Sequence, residues 1–101
     1  PMRFVELCAT NPAKIFGLYP QKGTLKVGSD ADIAIWDPNK TVSYGQRIAK
    51  HRTDHNLYEG MQLRGYPTRV LLRGKTLVDA ENWYGQPGGG KFLHRKLCSF
   101  L

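Results

Sequence analysis

The stretch from Gly23 to Pro38, GTLKVGSDADIAIWDP, constrains the chain more than any other: two short apolar runs, a Gly-Ser-Asp turn between them and an Asp-Pro stop. Thr24, Leu25 and Val27 predict one strand. Ile33, Ala34, Ile35 and Trp36 predict a second, whose alternation suits a strand packed on both faces. Gly28 supplies the backbone freedom of the turn. Asp30 and Asp32 are the first candidates for chemistry, because two carboxylates two residues apart can hold a metal or share a proton. The plainer reading is stronger: short acidic side chains at a turn accept backbone N–H bonds, and no further ligand lies close in sequence.

Before this stretch, Phe4, Val5, Leu7 and Cys8 fit one face of a short helix beginning near Met2 and ending at Ala9. Thr10-Asn11-Pro12 then predicts a restart, with Asn11 as N-cap, Pro12 in the first helical position, a second helix over Ala13 to Phe16, and Gly17 as its left-handed stop. Ile15 and Phe16 are expected to face a core. After the organising stretch, Asn39-Lys40 predicts a turn and Thr41 to Tyr44 a strand ending at Gly45. Met61 and Leu63 open another strand, Gly65 allows a bulge, and Pro67 starts the run Arg69 to Leu72. Arg73-Gly74-Lys75 reads as a tight turn into Thr76 to Asp79, closing a β-hairpin. Ala80 to Tyr84 either continues the sheet or turns away. The fold class expected is therefore mainly β with short N-terminal helices.

The chain has 101 residues, 41% hydrophobic and 11% aromatic, which places it among globular chains of one domain at most. No apolar run approaches the ~20 residues that span a bilayer, and PMRFVEL lacks the apolar core of a signal peptide, so no membrane partner is expected. Cys8 and Cys98 are read as free thiols of a cytoplasmic protein. The net charge of +7 raises nucleic acid as a partner, but the basic residues are scattered from Arg3 to Lys96. Only Lys91, His94, Arg95 and Lys96 cluster, so nucleic-acid binding is not expected. A small basic binding module is the reading that this charge keeps open.

Two motifs invite a functional reading and fail it. His51 and His55 stand four apart, as zinc ligands do on a helix, yet no Glu follows His51 in the HExxH manner and no third ligand is near. The loop Gln46 to Asn56 is read instead as solvated or interfacial. Gly85 to Lys91 has the GxxxxGK spacing of a phosphate-binding loop. Phe92 replaces the Ser or Thr that such a loop needs for magnesium, and Pro87 removes an N–H that would cradle phosphate.

Lys22-Gly23, then Val27 to Asp32, an apolar strand and Asp37-Pro38 together resemble a signature of amidohydrolase-superfamily enzymes. Asn11 to Pro20 before it, and Tyr58 to Met61 and Val70 to Lys75 after it, narrow the resemblance to the hydantoinase and dihydropyrimidinase branch, over about Phe4 to Arg95. The resemblance implies the C-terminal part of such an enzyme. On it, 1–20 are terminal helices that pack on a TIM-type barrel, 21–84 are strands and a hairpin of the small β-sandwich domain, and 85–101 are an extended Gly-rich tail. The implied chemistry is hydrolytic opening of a cyclic diamide, by a hydroxide that two divalent metals of zinc type, held by histidines, an Asp and a carboxylated Lys, generate.

None of those ligand segments is present here, and Lys14 and Lys22 do not match the carboxylated lysine. No catalytic, cofactor-binding or metal-binding residue is therefore assigned in this chain, and the chain alone is expected to be structural and inactive. The alternative is a non-enzymatic relative of the collapsin response mediator type, which has the fold without the metals and which this segment does not separate from the enzyme. The partners implied are the rest of a parent chain and, through the tail, further copies in a dimer or tetramer. Phe92, Leu93, Leu97, Phe100 and Leu101 are the apolar anchors expected to dock on a neighbouring subunit or the barrel, with Lys91, Arg95 and Lys96 pairing acidic groups there.

Overall fold

The computed structural model describes residues 1–100; the anchor expected at Leu101 lies outside the described residues. The chain starts with one uninterrupted helical stretch: α1 (Met2–Val5), a π-helical segment (Glu6–Thr10) and α2 (Asn11–Ile15). The expected break at Thr10–Pro12 does not occur, since Thr10 (φ −68°, ψ −51°) and Asn11 (φ −64°, ψ −45°) are both helical. Pro12 explains the difference. Its ring would collide with the carbonyl four residues back in an α-helix, and a widened π turn relieves that collision without ending the helix. The Asn11 N–H accordingly donates to the Glu6 carbonyl, five residues back, and Asn11 is not an N-cap.

The helix ends one residue earlier than expected, at Ile15, and Phe16 leaves helical geometry at φ −88°, ψ 6°. Gly17 is the left-handed stop that its sequence position predicts, at φ +70°. Leu18 N donates to Ala13 O at 2.8 Å and Gly17 N to Lys14 O at 3.3 Å, the bond pair of a Schellman C-cap. Ile15 and Phe16 do not face a core; both are about half exposed, at 52% and 54%. The inward side of α2 is taken by Ala13, the one buried apolar residue among those described. It lies so close to the following loop that a Cβ on Gly23 would come within 2.5 Å of the Ala13 Cβ. Thr10 Oγ1 donates to Gly23 O at 2.7 Å and secures this approach.

The first apolar run, Thr24 to Val27, is not a strand. Gly23 has a positive φ, and Ser29 N donates to Lys26 O across a turn with Gly28 at φ +92°. Two bends so close together leave no length for a ladder, and Leu25 and Val27 project outward.

Four strands follow in one antiparallel sheet of order β1-β2-β3-β4: β1 (Ile33–Ser43), β2 (Gln62–Leu72), β3 (Lys75–Asp79) and β4 (Asn82–Trp83). Asp37-Pro38 does not stop β1, and Asn39-Lys40 is not a separate turn. The register jumps from Asp37↔Tyr66 to Thr41↔Arg64, so Pro38, Asn39 and Lys40 bulge out opposite Gly65 (φ +90°). A bulge needs no ladder N–H from Pro38, and Asp37 Oδ1 accepts Asn39 N at 2.9 Å to shape it. The expected strands at Ile33–Trp36 and Thr41–Tyr44 are thus one. Pro67 lies within β2 and not at its start; it pairs with Trp36 beside a second register shift.

Most of β1 is exposed, so packing on both faces is not met within these residues. Phe4 of α1 covers part of one face by an edge-on contact with Trp36, ring centroids 5.5 Å apart.

The β2–β3 hairpin forms where the sequence places it. Leu72 pairs with Lys75, leaving a two-residue turn with Arg73 at φ 47° and Gly74 at φ 82°. Positive φ at both central residues suits the right-handed twist of the strands. No atom lies within 4 Å of a Cβ built on Gly74, so a side chain there would meet strain but no clash. Gly74→Val is expected to lower stability by about 1–3 kcal/mol, the cost of a β-branched residue at positive φ. Thermal melts of the two proteins check this; equal melting temperatures would place the turn elsewhere.

Candidate functional site

The carboxylates singled out in the sequence meet a lysine. Lys22 Nζ lies 2.9 Å from Asp30 Oδ2 and also pairs with Asp32 Oδ2. Gln21 Nε2 adds a bond to Asp30 Oδ2 at 3.2 Å, and Asp30 N donates to Gln21 O at 2.9 Å. The remaining oxygen of Asp32, Oδ1, accepts the backbone N–H of Arg73 at 2.9 Å, while Gly74 N donates to Ala31 O at 3.0 Å. Arg73 extends the link, its Nη2 donating to Gly89 O. The expected bonds to nearby backbone N–H groups are not what forms: the Asp30 carboxylate takes the side chains of Lys22 and Gln21, and Asp32 takes Lys22 and the backbone N–H of Arg73, distant in sequence. Lys22 and Arg73 are the partners that sequence reasoning missed; the Lys-Gly pair ahead of Gly-Ser-Asp-Ala-Asp was the available signal.

The electrostatics suit a clamp. Partial burial works against the Lys22 ammonium, but the hydrogen bonds it donates to the Asp32 and Asp30 carboxylates, together with their negative charge, outweigh it and raise its pKa above 10.5. The Lys22 hydrogen bond holds Asp30 below 3.8, against a smaller opposing effect of desolvation. Each group is pushed away from neutrality, whereas a general acid or base works best with a pKa near the operating pH. The arrangement favours the charged form of both Lys22 and Asp30.

The two histidines of the 46–56 loop do not converge. His51 Nδ1 is 2.6 Å from Thr53 Oγ1, and His55 Nδ1 is 3.2 Å from Asp54 Oδ1. Among the described residues no group of three or more His, Cys, Asp or Glu side chains comes together. The donor set thus does not fit a two-metal centre, and both aspartates are already engaged by Lys22. Gly85 to Lys91 contains a turn, Gly89 N donating to Gln86 O at 3.1 Å, and no helix follows Lys91 among the described residues. It borders an open cleft of about 780 Å³ whose lining includes Arg52, Arg73, Lys75, Lys91, Trp83 and Tyr84, and no acidic residue. No helix of the described residues is long and apolar enough to cross a membrane.

A helix running into a turn-rich loop, an ion clamp onto a hairpin, and a four-stranded antiparallel sheet are here joined to the motif order read from the sequence. The family model for the amidohydrolase family matches residues 1–77, and the chain belongs to that family. Within it, the chain is 51% identical over 94 residues to the D-hydantoinase of Ralstonia pickettii, covering 93% of this chain and 21% of that protein. Dihydropyrimidinase of Rattus norvegicus is 43% identical over 94 residues, again 93% of this chain and 18% of that protein. A solved D-hydantoinase structure superimposes with a TM-score of 0.89 at 50% identity, over 94% of this chain and 21% of its own. The chain spans about a fifth of the length of these relatives, which are cyclic amidohydrolases. Members of the family are generally metal-dependent.

The clamp fixes a pH dependence. Asp30, with its lowered pKa, adds stability that is present above its unfolded value of 3.8 and is lost as pH falls through the folded value. Lys22, with its raised pKa, adds stability that is present below 10.5 and is lost as pH rises through the folded value. Lys22→Met is expected to lower the melting temperature near neutrality by about 4 to 8 °C, with the difference from wild type shrinking as Asp30 protonates. Melts across the acid range check it: a constant difference down to the lowest pH would show that the ion pairs are not its cause.

Proposed function

We propose that the chain is the C-terminal structural unit of a cyclic amidohydrolase that opens the ring amide of hydantoins or dihydropyrimidines. The observation that carries this is 51% identity along 93% of the chain to a D-hydantoinase, with the same backbone in a solved D-hydantoinase. In this reading 1–20 pack on a barrel, 21–84 join further strands in a β-sandwich, and 85–101 are a tail. The two divalent metals of zinc type and the carboxylated lysine belong to segments outside these residues, and the intact protein is cytoplasmic. The half-exposed Ile15, Phe16, Ile35 and Trp36 support the packing assignment, since apolar surface left in water forgoes about 25 cal/mol per Å². Phe92 and Leu97 are 84% and 86% exposed, which supports a further subunit as the surface the tail side chains cover.

Alone, the chain is expected to turn over neither hydantoin nor dihydrouracil and to bind no stoichiometric metal; two zinc ions per chain by elemental analysis, or measurable turnover, would overturn that. Co-expression with a Ralstonia pickettii D-hydantoinase lacking its matching segment should restore soluble, active enzyme. Failure to recover activity above the truncated enzyme alone would count against the structural role. In an intact parent, removing the residues equivalent to Lys91–Leu101 should weaken the oligomer and leave the metal content unchanged, as light scattering and elemental analysis would read.

A further inference from the structure

The tail returns to the helix at which the chain begins. Lys96 N donates to Gly17 O at 2.8 Å, and Ser99 N donates to Lys14 O at 3.0 Å. Lys14 O already accepts the Gly17 N–H of the C-cap, so its second lone pair takes the tail. The Lys14 ammonium lies 5.1 Å from the centre of the Tyr19 ring and 5.6 Å from that of Phe100, bringing the end of the tail over the same turn. A Cβ built on Gly17 would lie 1.8 Å from the Lys96 carbonyl oxygen and 2.6 Å from its carbon. The tail backbone therefore fills the space that any other residue at position 17 would need. At its other end the tail is held by Arg73, whose guanidinium donates to Gly89 O. Between the two attachments lies a segment with no helix or strand, preceded by the glycines of Gly85–Gly90.

We propose that the end of α2 is a docking socket for an extended peptide, that Lys96–Phe100 of the same chain is its occupant, and that Gly17 is the residue that admits it. The tail is then a strap, anchored on the hairpin turn by Arg73 and closed on the helix by Gly17 and Lys14. The Gly-rich segment is the hinge about which it opens. What the socket recognises is two backbone N–H donors three residues apart, followed by an aromatic ring that reaches the Lys14 ammonium. This concerns contacts within one chain and stands whether or not the tail side chains also meet another subunit.

Amide exchange on the full chain tests it, with Gly28→Ala as the matched control. Gly17 and Gly28 both have positive φ, so alanine strains the backbone at either site, but nothing lies within 4 Å of a Cβ on Gly28. Gly17→Ala is expected to speed exchange of the Lys96 and Ser99 amides at least about tenfold, with Gly28→Ala leaving them within about twofold of wild type. Phe100→Ala, which leaves the glycine turn intact, should speed exchange at Ser99 several-fold. An excess of synthetic peptide spanning residues 91–101 should do the same to the wild-type tail by displacing it. Exchange at Lys96 and Ser99 that is already as fast as in the free peptide would overturn the strap. So would equal acceleration by both glycine variants, or no response to either Phe100→Ala or the peptide.

Discussion

The ammonium group of Lys22, held between the carboxylates of Asp30 and Asp32, is the contact on which the relative placement of the parts depends. A chain whose described residues bury a single apolar side chain, Ala13, has little hydrophobic burial with which to fix a loop against a sheet. Directional polar bonds take over that task. Lys22 draws the loop closed, which aims Asp32 Oδ1 at the Arg73 N–H. Arg73 has φ 47°, a conformation that costs a non-glycine residue roughly 1–2 kcal/mol, and the Asp32 bond meets its N–H in that conformation. The same residue then reaches Gly89 with its side chain, so one strained turn joins the loop, the sheet and the tail.

Much of this was legible in the residues, where local chemistry decides. Gly17 ends its helix and Gly74 sits in its turn because a positive φ is a backbone requirement that a single residue meets or fails. The aspartates were less legible: Asp30 takes the side chains of Lys22 and Gln21, and the backbone N–H that Asp32 accepts comes from Arg73 on a distant hairpin, which no local pattern shows. The prolines are where local chemistry misleads. Pro12 was absorbed by a π turn and Pro38 by a bulge, so that two helices became one stretch and two strands became β1. A proline excludes one hydrogen bond, and whether it ends an element depends on whether the neighbours can reroute around it. Burial is likewise not a local property: Ile15, Phe16, Leu25 and Val27 are apolar by identity, but burial depends on what packs against them.

The Lys22 cluster also shows why acidic pairs in a sequence carry little functional meaning on their own. The spacing of Asp30 and Asp32 is compatible with metal binding as well as with a structural role, and the pairing of both with Lys22, eight and ten residues upstream, is structural. Once paired, both the lysine and Asp30 keep their charges across a wider pH range than when free. Family membership came from a different kind of signal. It lay in the order of several short motifs, each shaping a turn or a close backbone approach.

The bulge in β1 has a consequence for how the sheet behaves in solution. β1 lies at the edge of the sheet, and an open edge of eleven residues would offer a template on which other chains could stack into fibrils. Pro38 and the residues after it cut that edge into two lengths of differing register, and Pro38 has no N–H to offer an incoming strand. A strand that pairs along that side has to follow the same kink that β2 meets with Gly65 and Pro67 placed opposite. The irregularity that hides β1 from a reading of the sequence thus also restricts which strands can pair with it along that side.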